Sequence, residues 1–188
     1  PRELRQLQKS LSFIPSIKAH TGTLTSSTLK EMSGKLDPLE GLVKLIHDAI
    51  EEDPPISLSE GGVIRKGYSR ELDDLRSIAF SGKEWIARLQ SDERQRTGIS
   101  SLKVGYNNVF GYYIEITNTH KDKIPGNYIR KQTLTNAERY ITPELKEYEE
   151  KVLHAEEKIL ALETRIFNEV RLSISEYSGS ILDNARIL

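Results

Sequence analysis

Two stretches of this sequence repeat apolar residues at alternating steps of three and four, and they bracket a stretch that does not. After Pro143 the positions are Leu145, Tyr148, Val152, Ala155, Ile159, Leu162 and Ile166; before residue 98 they are Leu72, Leu75, Ala79, Gly82, Ile86 and Leu89. Such a seam belongs to a helix lying along one partner helix. Each run is about 25 residues, hence about 40 Å of helix at ~1.5 Å per residue. Because the two runs flank one short insert, they are expected to be antiparallel partners. Two ordinary amphipathic helices in a globular bundle have the same periodicity, so the spacing alone leaves that alternative open. The local punctuation agrees with two long helices. Thr142 is a good N-cap before Pro143 and Glu144, and Thr97-Gly98 ends the first run, with glycine suited to the residue after a helix.

The insert, residues 98–142, changes period. Leu102, Val104 and Tyr106 alternate with polar or small residues, and so do Phe110, Tyr112, Ile114 and Ile116. This pattern predicts a hairpin, with Asn107-Asn108 as a two-residue turn. Residues 118–127 read as a loop or one short helix closed by Pro125-Gly126. Tyr128 to Thr135 reads as a third strand and Arg139 to Thr142 as a short fourth. The predicted fold is therefore α+β and mostly α, with a small antiparallel β module at the tip of two long antiparallel helices and a short helical base. Residues 1–97 and 143–188 would form a discontinuous helical domain, and residues 98–142 an inserted β-rich one.

Upstream, Leu4, Leu7 and Leu11 predict a short helix closed by Pro15. The Thr- and Ser-rich residues 16–27 read as loop or weak structure, Lys30–Leu36 as one or two helical turns, and Leu42 to Ile50 as an amphipathic helix ending near Asp53-Pro54-Pro55. In the connector 56–68, Gly61-Gly62 permits a tight turn and short strand pairing. Its three glycines do not match the GxxxxGK[ST] phosphate loop.

Composition excludes several function classes. The 188 residues contain no cysteine, which removes disulfide frameworks, thiol nucleophiles and thiolate metal sites and fits a reducing compartment. No run of about 18 apolar residues is present, and the start PRELRQLQKS has no apolar core of a signal peptide, so a cytoplasmic protein without a membrane partner is expected. The ending LDNARIL lies on a helical pattern without a cap, as in a segment of a longer chain. His20, His47, His120 and His154 are scattered, and Glu51-Glu52-Asp53 and Glu147-Glu149-Glu150 read as solvated acidic faces. No catalytic or metal-ligating constellation stands out.

Charge is unevenly placed. Net charge is −1, but residues 98–142 hold six basic residues against three acidic, while the remainder holds 21 basic against 25 acidic. A positive module on negative flanks suits an anionic partner such as a nucleic-acid backbone. RKQTLTN supplies two cations with amide and hydroxyl donors, which hydrogen-bond phosphate without reading sequence. The candidate contacts are Lys131, Thr133, Thr135 and Asn136, with Lys103, Tyr106, Asn107, Arg130 and Gln132. Strand alternation puts Lys131, Thr133 and Thr135 on one face and Arg130 and Gln132 on the other.

SLKVGYNNVFGYYIEIT followed by YIRKQTLTNAERYITPELKEYEEKVL closely resembles the MutS family of DNA mismatch repair proteins, and so do EGGVIRKGYSRELDDLR, ERQRTGI, PRELRQL and DPLEGLVKLI. The resemblance covers essentially the whole chain. It implies that the long helices and base are core and lever elements, and that residues 98–142 are a clamp contacting the backbone of double-stranded DNA. In the family the whole protein is a dimeric ATPase, with ATP and magnesium as cofactors, coupled to other mismatch repair proteins. The Phe-x-Glu mispair element and the Walker A loop of the family are absent from this sequence, so this segment is expected to hold no cofactor and to be no enzyme by itself. The competing reading is a helical adaptor whose β tip binds a protein through Tyr106, Tyr112 and Tyr128.

Overall fold

Helix ends form where the side chains ask for them. In the computed structural model, which describes residues 1–188, one long helix ends at Thr97 and Gly98 follows with φ +69°, a conformation costly for any residue with a Cβ. The next long helix starts at Pro143, where the Leu145 amide donates to Thr142 Oγ1 at 3.1 Å. The chain divides into two compact units: Pro1–Asp73 with Ile159–Leu188, and Asp74–Lys158. No helix is long and apolar enough to cross a membrane.

The first unit is helical. It contains α1 (Arg2–Leu11), α2 (Ile14–Gly22), α3 (Ser27–Lys35), α4 (Glu40–Ala49), the start of α5 (Arg70–Thr97), the end of α6 (Pro143–Ser175) and α7 (Ser178–Ile187). α1 packs on α4, α2 on α3, and α3 on α7. Leu42, Ile46, Ile50 and Ile64 are fully buried, each contributing about 1.5–3 kcal/mol. Residues 14–22 correct the sequence reading, because Pro15 opens a helix there instead of closing the previous one. A proline in the first turn lacks only an N–H that would be unpaired anyway. The Thr21 hydroxyl, which reads as a loop signal, bonds back to Ile17 O at 2.8 Å and is turned into the contact with Ser33 on α3. α3 is also longer than the one or two turns expected. Asn184 pairs with the backbone of Asp37 in both directions, accepting from its N–H at 2.9 Å and donating to its carbonyl at 2.7 Å. The connector pairs as a single bridge, Ile50 with Ile64. Gly61 and Gly62, at φ +70° and +75°, turn the backbone so that the Gly62 amide donates to the buried carboxylate of Glu163 at 2.7 Å. An internal acid therefore fills the concavity that the glycines create.

The second unit joins the remaining lengths of α5 and α6 to a four-stranded antiparallel sheet in the order β1-β2-β4-β3, with β1 Lys103–Asn107, β2 Gly111–Thr117, β3 Ile129–Thr133 and β4 Ala137–Ile141. The seam residues Ala79, Gly82, Ile86 and Leu89 of α5 and Leu145, Val152 and Ala155 of α6 are buried. The helices run antiparallel and close together. Trp85 stacks on Tyr148 with centroids 3.8 Å apart, and Lys83 pairs with Glu156. A Cβ on Gly82 would come within 2.4 Å of Val152 Cγ2, so glycine sets the spacing there. One apolar cluster fuses helices and sheet, among them Ile86, Leu89, Leu102, Ile114, Ile116, Tyr140, Leu145 and Val152.

The hairpin turn differs from the expected two-residue turn. Asn107 pairs with Gly111, leaving Asn108, Val109 and Phe110 as a three-residue loop that closes on Gly111 at φ +79°. The chain re-enters the sheet at this left-handed residue, which glycine adopts without the cost that a Cβ would carry. α6 then clasps the loop. Glu149 accepts from the Tyr112 amide at 2.9 Å, and Lys146 Nζ donates to the Phe110 carbonyl at 2.5 Å and to Glu149 at 2.9 Å.

Candidate nucleic-acid interface

The register of the sheet decides which predicted contacts lie together. β2 runs from Gly111 to Thr117, about 20 Å at ~3.3 Å per residue. Tyr106 and Asn107 sit at its Gly111 end. Ala137 pairs with Thr117, so the β3–β4 turn carrying Thr135 and Asn136 lies at the opposite end. The nine candidates are therefore not one cluster.

At the hairpin end, Tyr106 is 51% exposed and meets Tyr112 edge to face at 5.0 Å. The Asn107 side chain accepts from Val109 N at 2.7 Å and so serves the loop itself. Val109 is 87% exposed. Of the other tyrosines named for a protein-binding tip, Tyr112 is half-buried. Tyr128 is buried and donates to Glu93 at 2.6 Å, and burial first, then that bond, raises its hydroxyl well above the ordinary tyrosine range.

At the opposite end the turn is held by main chain. Leu134 N bonds to Ala137 O at 2.8 Å, and Asn118 bonds through N to Asn136 O and through Nδ2 to Thr135 O, both at 3.0 Å. These bonds leave the side chains of Thr133, Thr135 and Asn136 exposed. Ser101, Thr117 and Thr119 extend the same edge as a chain of hydroxyls at 3.2 and 3.0 Å. These residues and Asn118 escaped the sequence reading because strand pairing, not local pattern, carries them beside the β3–β4 turn.

The simple alternation expected along β3 is broken by a bulge between Arg130 and Gln132. Arg130 pairs with Tyr140 and Thr133 with Glu138, whereas Gln132 pairs with Arg139. Arg130 and Thr133 thus share the face of Glu138 and Tyr140, and Gln132 lies on the other. The extra residue in a bulge shifts every later side chain by one face. Lys131 occupies the irregular position and is exposed.

Ion pairing sorts the six cations of residues 98–142. Glu138 pairs with Lys121 at 2.9 Å and Arg130 at 3.4 Å, and also accepts from the Tyr140 hydroxyl. The bond from Tyr140 and then that from Lys121 hold the Glu138 carboxyl below the usual carboxylate range. The Tyr140 hydroxyl is pushed up to about 12, by burial and then by Glu138. On the other face a row crosses all four strands: Lys103, Glu115, Arg139 and Gln132. Within it Arg139 donates to Glu115 at 2.8 Å and to Gln132 at 3.0 Å, and lies 4.3 Å over the Tyr113 ring. Gly105 makes room for that ring, since a Cβ would meet it at 2.8 Å. Lys103, Lys123 and Lys131 make no ion pair and are exposed. Lys131 leads into the hydroxyls and amides of the β3–β4 turn, whereas Lys103 stands on β1 on the face opposite Thr133. Free ammonium groups together with such donors can neutralise and hydrogen-bond a polyanion without reading bases.

Residues 67–158 match the family described as MutS family domain IV. A protein of Salinibacter ruber named DNA mismatch repair protein MutS is 50% identical over 188 residues, covering 100% of this chain and 21% of that protein. Proteins of the same name from Parabacteroides distasonis and Alkaliphilus oremlandii are 53% identical over 188 residues and 54% over 171, covering 22% and 19% of their own lengths. The chain spans about a fifth of the length of the curated relatives it matches. With the sheet and the lengths of α5 and α6 beside it inside the matched residues, and about half of all residues identical along the whole chain, this chain belongs to the MutS family.

Proposed function

We propose that this chain is a DNA-gripping segment of a mismatch repair protein, in which residues 98–142 act as a clamp on the duplex backbone. The observation that carries this is the set of exposed Lys103, Lys123 and Lys131 that make no ion pair, with Lys131 on the strand that leads into the exposed Thr133, Thr135 and Asn136. Lys131 and the β3–β4 turn form the centre of the contact, and Lys103 adds charge from β1. Arg130 and Gln132 flank it but are engaged internally. Tyr106 and Asn107, at the far end of the sheet, reach a backbone only if the duplex runs along the sheet. The names of the relatives support mismatch repair as the process. On this reading the long helices are levers linking the clamp to an ATPase domain outside these residues. The whole protein would work as a homodimer with ATP and magnesium, alongside other repair proteins, and this segment by itself would neither bind those cofactors nor turn over a substrate.

Contacts of this kind carry no base information, so affinity should be nearly independent of sequence and weak, on the order of 10⁻⁴ M. The test is a salt titration of duplex binding by the 188-residue chain and its Lys131→Glu variant. Binding to matched and mismatched duplexes should weaken by the same factor, and the log–log salt slope should become shallower by about 0.9. Loss on one duplex alone, or an unchanged slope, rejects Lys131 as a backbone contact. The exposed Tyr106 and Val109 favour a second reading, a tip that binds protein. It predicts an interaction that hardly responds to salt and is lost on Val109→Asp.

A further inference from the structure

Glu138 and its two cations are built asymmetrically. The carboxylate is fixed: its side chain is 6% exposed, it stands on β4 inside the sheet, and its Oε2 accepts from the Tyr140 hydroxyl. Its cations are not fixed. Lys121 and Arg130 are 48% and 62% exposed, and both reach the same oxygen, Oε1, from long stems. Arg130 uses a single nitrogen at 3.4 Å, so the rest of its planar fork is uncommitted. A phosphate oxygen offers what Glu138 Oε1 offers, with the bidentate geometry that a guanidinium prefers. Arg139 makes the contrast. It is 19% exposed, bonded to Glu115 and Gln132 and stacked on Tyr113, and so has no room to change partner.

We propose that Glu138 is an internal counter-ion that competes with DNA phosphate for Lys121 and Arg130, and so sets how much of the clamp's positive charge reaches the backbone. This rests on the backbone-contact reading above and adds its regulation. At rest the β3 edge presents Lys131 alone. Two further cations are held beside it by a carboxylate that cannot follow them out, so the grip is kept weak by construction.

Salt titration of a mixed-sequence duplex against the 188-residue chain tests it. Glu138→Gln keeps an acceptor for the Tyr140 hydroxyl and removes the charge. Its slope should steepen by up to about 1.8, two phosphate contacts at ~0.9 each, with tighter binding at low salt. Arg130→Gln should change the slope little in the unaltered chain and by about 0.9 in the Glu138→Gln background. Equal effects of Arg130→Gln in both backgrounds overturn the proposal, as does an unchanged slope in Glu138→Gln. If Glu138→Gln shows no cooperative thermal transition, Arg130→Gln is compared with Lys131→Gln in the unaltered chain, and equal slope losses overturn it. If Lys131→Glu itself leaves binding unchanged, the backbone reading has failed instead, whatever Glu138 does.

Discussion

A buried glutamate of α6 accepts backbone amides from a glycine turn in each of the two units, and the two sites are built with different tolerance. In the helical unit Glu163 receives Gly62 N at 2.7 Å and Val63 N at 3.5 Å after two consecutive glycines at positive φ. In the sheet unit Glu149 receives Tyr112 N at 2.9 Å after one such glycine, Gly111, and Lys146 stands beside it as counter-ion. Space is what separates them. A Cβ on Gly61 would lie 3.7 Å from Glu163 and one on Gly62 would meet nothing, whereas one on Gly111 would overlap the Glu149 carboxylate at 2.0 Å. Gly62 is needed for its backbone angle alone. Gly111 is needed for its angle and for the room it leaves. An acid holding a turn from outside tolerates side chains; an acid lying over the turn does not.

The largest effect should therefore come from Gly111→Ala. It combines a left-handed penalty of about 1–2 kcal/mol with displacement of a buried carboxylate from its amide, for about 3 kcal/mol in all. Trp85 is the sole tryptophan and stacks on α6 within the same unit, so its fluorescence during thermal unfolding reads this loss. A midpoint within error of the parent would mean that the hairpin does not depend on Glu149.

Gly82→Ala comes next and isolates space from angle. Gly82 is helical, so alanine gains about 1 kcal/mol of propensity. Against that, the contact with the stiff, β-branched Val152 costs about 1–3 kcal/mol of overpacking. A net loss of about 1 kcal/mol is expected by the same fluorescence, and it should disappear when Val152→Ala is added. Failure of that rescue would show that the tight glycine at Val152 is not what spaces the helices.

The smallest effect belongs to Gly62→Ala, about 1 kcal/mol from the angle alone. Chemical denaturation followed by circular dichroism measures it. A loss as large as that of Gly111→Ala would erase the distinction between the two turns.

The predicted interface was legible in part. RKQTLTN marked Lys131, Thr133, Thr135 and Asn136 because their donors are visible residue by residue. The sorting of cations into paired and free was not visible, since Glu138 on β4 and Lys121 in the turn after β2 are separate in sequence and meet only once β2 pairs with β4. Ser101 and Thr119 gave no local signal, because hydroxyl residues are common in any loop.

What the sequence determined by itself was everything set within a turn or two of chain. Periodicity marked the seam, since a helix returns to one face every three or four residues. Thr142 with Pro143 and Thr97 with Gly98 marked the helix ends, since caps act on their own first or last turn. Tertiary structure decided what depends on strangers in the sequence. Ser33 helped to draw residues 14–22 into a helix despite their loop-like composition, and the pairing of β3 with β4 put a bulge between Arg130 and Gln132. Glu149, brought in by α6, completed the three-residue turn at Gly111. Each outcome hangs on a contact whose partner local propensity cannot name, because free energies of about 1 kcal/mol along the chain are overruled by burial and hydrogen bonds of similar or larger size across it.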